Sequence, residues 1–260
     1  MISGSGRTSW SRRHAWLVVL LVGGLLYYLV LRTLQETQNP NLVPSLILLG
    51  AFLIPVTFVT FIYQRVSGRD GSAGTTPDVI ALSALFGGVI GVVVAGRLEY
   101  DTMRDLGTVP MLAVGLIEEA AKLVVPMAIL ILWRRRRPRN GLLVGVAVGM
   151  GFAALETMGY AFVTLLQSKG SIGTVEEVLL LRGVLSPAAH AAWTGLSTAA
   201  LWQAAGTGRA RAWLGFLLAY LGVAVLHACW DGIGTWWSYV ILSLISLGLV
   251  RRRVRETLLA

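Results

Sequence analysis

The sequence predicts an all-α, polytopic membrane protein of about eight transmembrane helices, and three observations lead there. Of the 260 residues, 55% are hydrophobic and only 13% are charged, too apolar a balance for a chain that must present its surface to water. The apolar residues gather in blocks of roughly bilayer length. The arginines stand in short runs between those blocks, a placement that sets topology and does not make a binding patch. The formal charge of +9 therefore points to no nucleic-acid partner, and the medium is a lipid bilayer. A single cysteine, Cys229, excludes an internal disulfide and any multi-cysteine metal site.

The blocks run at about 15–31, 42–63, 79–96, 108–133, 141–166, 187–205, 212–231 and 235–250. The first follows Arg12 and Arg13 as the core of a signal peptide would. No small-x-small cleavage site comes after it, so it is expected to be the first span. Pro55 is expected to kink the second block. Ser67–Thr76, rich in glycine and serine, is expected to be a loop, and Arg97–Gly107 a charged outer connection without a fold of its own. Ser168–Ser186 reads as a connector in which Val175–Arg182 could form a short interfacial helix. Trp236 and Trp237 open the last block as an interfacial anchor. No repeat or linker divides the chain, so 1–260 is expected to be one integral membrane domain.

The fourth block carries what an apolar span should not: Glu118, Glu119 and Lys122. A charged residue at mid-membrane opposes insertion by roughly 2.5 to 3.5 kcal/mol, so three of them require a reason. Lys122 stands at i+4 from Glu118 and i+3 from Glu119, within reach of either carboxylate but unable to neutralise both. Pro126 has no N–H for the carbonyl of Lys122, which loosens the helix at the charged turn.

Three further blocks carry polar groups. In the fifth, Phe152, Glu156 and Tyr160 share a face, and Gly141, Gly145 and Gly149 continue that ladder so that a neighbouring helix can come close. The sixth holds His190, with Thr194 and Ser197 on its face, and the seventh holds His227 and Asp231 at i, i+4. Each group lies 15 residues from the cytoplasmic end of its block: Glu118 before 133, Glu156 after 141, His190 before 205 and His227 after 212. At 1.5 Å per residue that is about 22 Å, one level in the outer half of the membrane. The fourth to seventh blocks, 108–231, are thus expected to form a four-helix catalytic core.

In this order the motifs Glu-Glu-x-x-Lys, Phe-x-x-x-Glu with a following Tyr, an isolated His and His-x-x-x-Asp resemble the PrsW intramembrane proteases, and more widely the CAAX prenyl proteases. The resemblance implies a glutamate-dependent peptide-bond hydrolase in a bacterial plasma membrane. Its substrate would be another membrane protein, such as an anti-sigma-factor-like regulator. It makes Glu118 the activator of water, with Glu119 and Lys122 setting its charge, and places Glu156, His190, His227 and Asp231 around it. Where the CAAX relatives have His-x-x-x-Asn, this chain has Asp231, which as an anion cannot donate to an oxyanion and must be protonated or must orient His227.

Charge balance raises the question of a cofactor. Glu118, Glu119, Glu156 and Asp231 set four negative charges against Lys122, a net of −3 with neutral histidines. Shared protons or a divalent metal such as zinc must compensate. The expectation is protons and no metal, because Lys122 within one turn of both glutamates repels a cation and the histidines lack ligand-pair spacing. An ion or proton transporter would also bury such groups, but neither inverted repeats nor paired broken helices are visible. A non-catalytic scaffold of the same superfamily is the other alternative, and the intact Glu118–Glu119 pair speaks against it.

Eight spans put both termini on one side. With that side cytoplasmic, 16 of the 22 basic residues fall inside and five outside, with Lys122 in the membrane. Reporter fusions should place Ala260 and Arg134–Arg139 in the cytoplasm and Ser168–Ser186 outside; an external signal at Ala260 would overturn this topology.

Overall fold

The structure is a computed structural model that describes residues 14–66, 75–132 and 137–259, the side chains of 257–259 excepted. Most of the expected 67–76 loop and the arginines at 134–136 lie outside the described residues. Among those described there are helices and no strand. In chain order they are α1 (Ala15–Thr37), α2 (Val43–Val66), α3 (Pro77–Leu106), α4 (Met111–Leu132), α5 (Pro138–Gln167), α6 (Ile172–Leu185), α7 (His190–Thr207), α8 (Ala210–Ile233) and α9 (Trp236–Leu259). Each apolar block is one long helix, and 168–186, read mainly as a connector, is largely helical: α6 spans 14 residues and contains the whole of Val175–Arg182.

The ends follow local chemistry. Pro77 and Pro138 open α3 and α5, where a missing N–H costs nothing. Gly107 and Gly208 close α3 and α7 in the left-handed conformation, φ 71° and 64°, which a Cβ would oppose. Pro55 lies buried inside α2, which is continuous through it. One expectation is corrected: Arg97–Gly107 is not an unstructured connection, because α3 continues to Leu106. Its charges sit at helical spacing and pair along the axis, Arg97 Nε donating to Asp101 Oδ2 at 2.9 Å and Arg104 reaching Asp101 at 3.5 Å.

Five segments, α1, 40–66, α3, α5 and α8, are long and apolar enough to cross a membrane. Of the other long helices, α4 carries Glu118, Glu119 and Lys122, α9 runs into Arg251, Arg252 and Arg253, and α7 is rich in alanine and hydroxyl residues. The most buried of the five spans is α5, with 83% of its apolar window inside the protein against 6% for α1.

Helices in a bilayer gain little from hydrophobic contact, so they associate where small residues admit close backbone packing. One seam joins α5 to α7. A Cβ on Gly145 would strike the Thr194 carbonyl and the Thr198 side chain, one on Gly149 the His190 carbonyl, and one on Gly141 Trp202 and the Thr198 carbonyl. A second seam joins α5 to α3, where Gly88 meets Gly151 and Gly151 meets the Ala84 carbonyl. Gly115 brings α4 onto the Ala224 carbonyl of α8, and Tyr220 Oη donates to the Leu116 carbonyl at 2.8 Å. Outside, α9 braces α7: Trp193 Nε1 donates to Ser246 Oγ at 3.0 Å, and Arg253 Nη2 donates to Gln203 Oε1 at 2.6 Å.

Gly145→Val should therefore overpack the α5–α7 seam and cost about 1–3 kcal/mol or more. Gly96→Ala, with nothing within 4 Å of the added carbon, should leave stability unchanged. Melting temperatures of the two variants in detergent check this.

Candidate active site

Lys122 is the hub. The α4 helix buries it completely, with Nζ 4.2 Å from the centre of the Phe152 ring on α5. An ammonium has three N–H bonds and no lone pair. Here it donates to Glu118 Oε2 at 3.1 Å and Glu119 Oε1 at 2.9 Å, and it faces His190 Nδ1 at 3.0 Å. The third contact makes Nδ1 of His190 the acceptor.

His227 on α8 closes the other side. Its Nδ1 stands 2.9 Å from Glu119 Oε1, and its Nε2 lies 3.2 Å from Asp231 Oδ2 and 3.5 Å from Glu118 Oε2. Glu119 is fully buried and shares Oε1 between Lys122 and His227, while its Oε2 has no hydrogen-bond partner among the described residues. Glu118 keeps an opening, its side chain 10% exposed. Glu156 on α5 approaches His190 Nε2 at 3.2 Å. All seven residues singled out in the sequence thus stand in one connected cluster. Thr194 and Ser197 are fully buried but serve their own seam, Ser197 Oγ donating to the Trp193 carbonyl at 2.9 Å. Cys229 is half-buried.

Several participants were not read from the sequence. Arg182, carried by α6, places Nη2 2.7 Å from Glu156 Oε2. It follows Val175 and Leu179 on the stripe that buries α6, a helical repeat that could have flagged it. Trp193 lies over the His227 ring, centroids 4.9 Å apart, and meets His190 edge-on at 5.8 Å. Glu99 on α3 has one carboxylate oxygen buried without a hydrogen-bond partner, within electrostatic range of Glu118 and Glu156. Arg182 and Glu99 change the charge count: five carboxylates, Glu99, Glu118, Glu119, Glu156 and Asp231, now face two cations, Lys122 and Arg182.

A model of the PrsW family of intramembrane metalloproteases matches residues 75–251, from the start of α3 into α9. The chain belongs to the PrsW family. No curated protein and no solved structure matches it. Membership makes it a membrane protease, and the matched stretch contains every residue of the cluster.

The metal in the PrsW description can be tested against the donors. Glu118, His190 and His227 bring three ligand atoms within 4.8 Å of one another, a carboxylate and two imidazoles as zinc takes them. Glu119 behind His227 is also the outer partner that a ligating histidine uses. Lys122 decides against the fit. It occupies the Nδ1 lone pair of His190, so a neutral His190 has only a protonated Nε2 left. It also sets an ammonium 3.0 and 3.1 Å from two of the three donors, where it repels a cation. As arranged, the set does not fit a bound metal.

Removing the hub should expose its importance. Lys122→Met leaves two carboxylates without their buried cation and should cost about 3–5 kcal/mol. Adding Glu119→Gln should recover part of that loss, measured as thermal unfolding in detergent.

Proposed function

We propose that this PrsW protease is an endopeptidase of glutamic type, in which Glu118 activates a water against a peptide bond of a membrane-protein substrate. The observation that carries this reading is the division of labour between adjacent glutamates. Glu119 is sealed, with Oε1 shared by Lys122 and His227, while Glu118 keeps an opening between the same two residues. Lys122 Nζ donates to Glu118 Oε2 at 3.1 Å, which fixes the direction of the carboxylate.

In the step we propose, the Glu118 carboxylate takes a proton from water, and the hydroxyl adds to the substrate carbonyl carbon. The carbonyl π electrons become the oxyanion, which a protonated His227 Nε2 steadies. When the intermediate collapses, the C–N bond breaks and its electron pair stays on nitrogen, which takes the proton back from Glu118. The 3.2 Å contact between Asp231 Oδ2 and His227 Nε2 puts Asp231 on the same N–H, which it orients until the oxyanion takes its place. Glu156 and His190 support Lys122 from the far side. The favoured substrate is a membrane-tethered regulator of the anti-sigma-factor kind, cut in the outer half of the bilayer, with both termini of the protease cytoplasmic.

A metal-dependent reading is favoured by one observation, the proximity of Glu118, His190 and His227. One experiment separates the two. Candidate single-span proteins are co-expressed with wild type, Glu118→Gln and His227→Ala, and cleavage is repeated with purified enzyme after EDTA and phenanthroline. The glutamic reading expects no fragment from either variant and full activity after chelation. Activity lost to chelator and restored by zinc would make those three residues ligands, and full activity in Glu118→Gln would remove it as the base.

A further inference from the structure

Arg182 reaches the cluster from an element that contributes nothing else to it. The packing of α6 puts it there: Val175 and Leu179 bury against Ile47, Ala51 and Ala161, with the Leu179 methyls against Gly50. One turn further along the same stripe, Arg182 is pressed onto the outer end of α5. Its guanidinium then makes three contacts, all to α5. Nη2 lies 2.7 Å from Glu156 Oε2, Nε lies 3.4 Å from Thr157 Oγ1, and Cζ stands 4.0 Å above the Tyr160 ring. A planar fork held at its edge and over its face has no freedom to swing.

The carboxylate it grips faces inward as well. Glu156 Oε2 is also the atom 3.2 Å from His190 Nε2, and His190 Nδ1 is the third partner of Lys122. Without Arg182 the Glu156 side chain, 19% exposed, has water on one side and a neutral imidazole on the other. With Arg182 its negative charge is kept 3.2 Å from His190 Nε2, an electrostatic contact and not an aligned hydrogen bond, and a charge there favours the tautomer with its proton on Nε2.

We infer that Arg182 is a positioning residue for the hydrolysis: it pins the Glu156 carboxylate against His190 and thereby fixes the imidazole nitrogen that faces Lys122. This rests on the glutamic-protease reading above. Arg182 acts on the cluster through Glu156 and makes no contact with Glu118, so its loss should weaken the chemical step more than ground-state binding. Lysine at this position would keep the charge but lose the contact to Thr157 and the plane against Tyr160, and should recover only part of the function.

The experiment uses the full chain in proteoliposomes with a membrane-tethered reporter that the wild type cleaves. Arg182→Ala should lower kcat at least about tenfold with KM little changed. Arg182→Lys should regain part of the rate. Glu156→Gln should show a similar loss, and Arg182→Ala with Glu156→Gln should be no slower than the worse single variant, because both break one link. Melting temperatures taken alongside identify a variant that merely unfolds, and Arg182→Lys with the Glu156→Gln pair then carries the test. Additive losses in the double variant, or an effect on KM alone, would overturn the inference. A dead Glu118→Gln beside a wild-type kcat in Arg182→Ala would remove only the positioning role. An active Glu118→Gln would instead remove the reading on which it rests.

Discussion

An ammonium sealed among helices offers three protons, and in this protein three acceptors from two helices receive them. Lys122 takes Glu118 and Glu119 from its own helix and His190 from α7. Each partner is then used again: Glu119 by His227, Glu118 by the open face of the site, and His190 by Glu156. Were Lys122 absent, the adjacent carboxylates would have to leave the interior or take up protons. Because it is present, two acids with the same sequence neighbours have different tasks, one structural and one exposed to chemistry.

That hub needs its helices brought closer than ordinary side chains permit. The two glycine seams of α5 do this, since on both faces the partner's backbone occupies the space of a side chain. The lower turns of α5 thus spend their side chains on proximity. The turn after the glycines is where Phe152 and Glu156 can project into the space so formed. The site and the seam are successive stretches of one helix.

Much of this was legible in the chain, for a physical reason. Intramembrane charges are too costly to be incidental, so Glu118, Glu119, Lys122, Glu156, His190, His227 and Asp231 stood out against an apolar background. Their equal spacing from the block ends grouped them, and the helices do bring them together. Arg182 was not legible, because an arginine in a connector is unremarkable until the burial of Val175 and Leu179 shows which way its helix turns. Trp193 was hidden among nine tryptophans, since an aromatic ring one turn from His190 reads as ordinary packing until the fold brings His227 beneath it. The helix over Arg97–Leu106 was missed because its charges were read as loop composition, when their spacing was that of ion pairs along an axis.

The contact between Trp193 and Ser246 has a bearing on biosynthesis. The indole that forms one wall for His227 is itself held by a hydroxyl on α9, a helix made after both α7 and α8. Until α9 has packed against α7, Trp193 lacks this anchor and one wall of the histidine's pocket is unsupported. A nascent chain therefore carries every acid and base of the site before it carries a finished pocket. Docking of α9 is the step that finishes the wall against which the histidine rests.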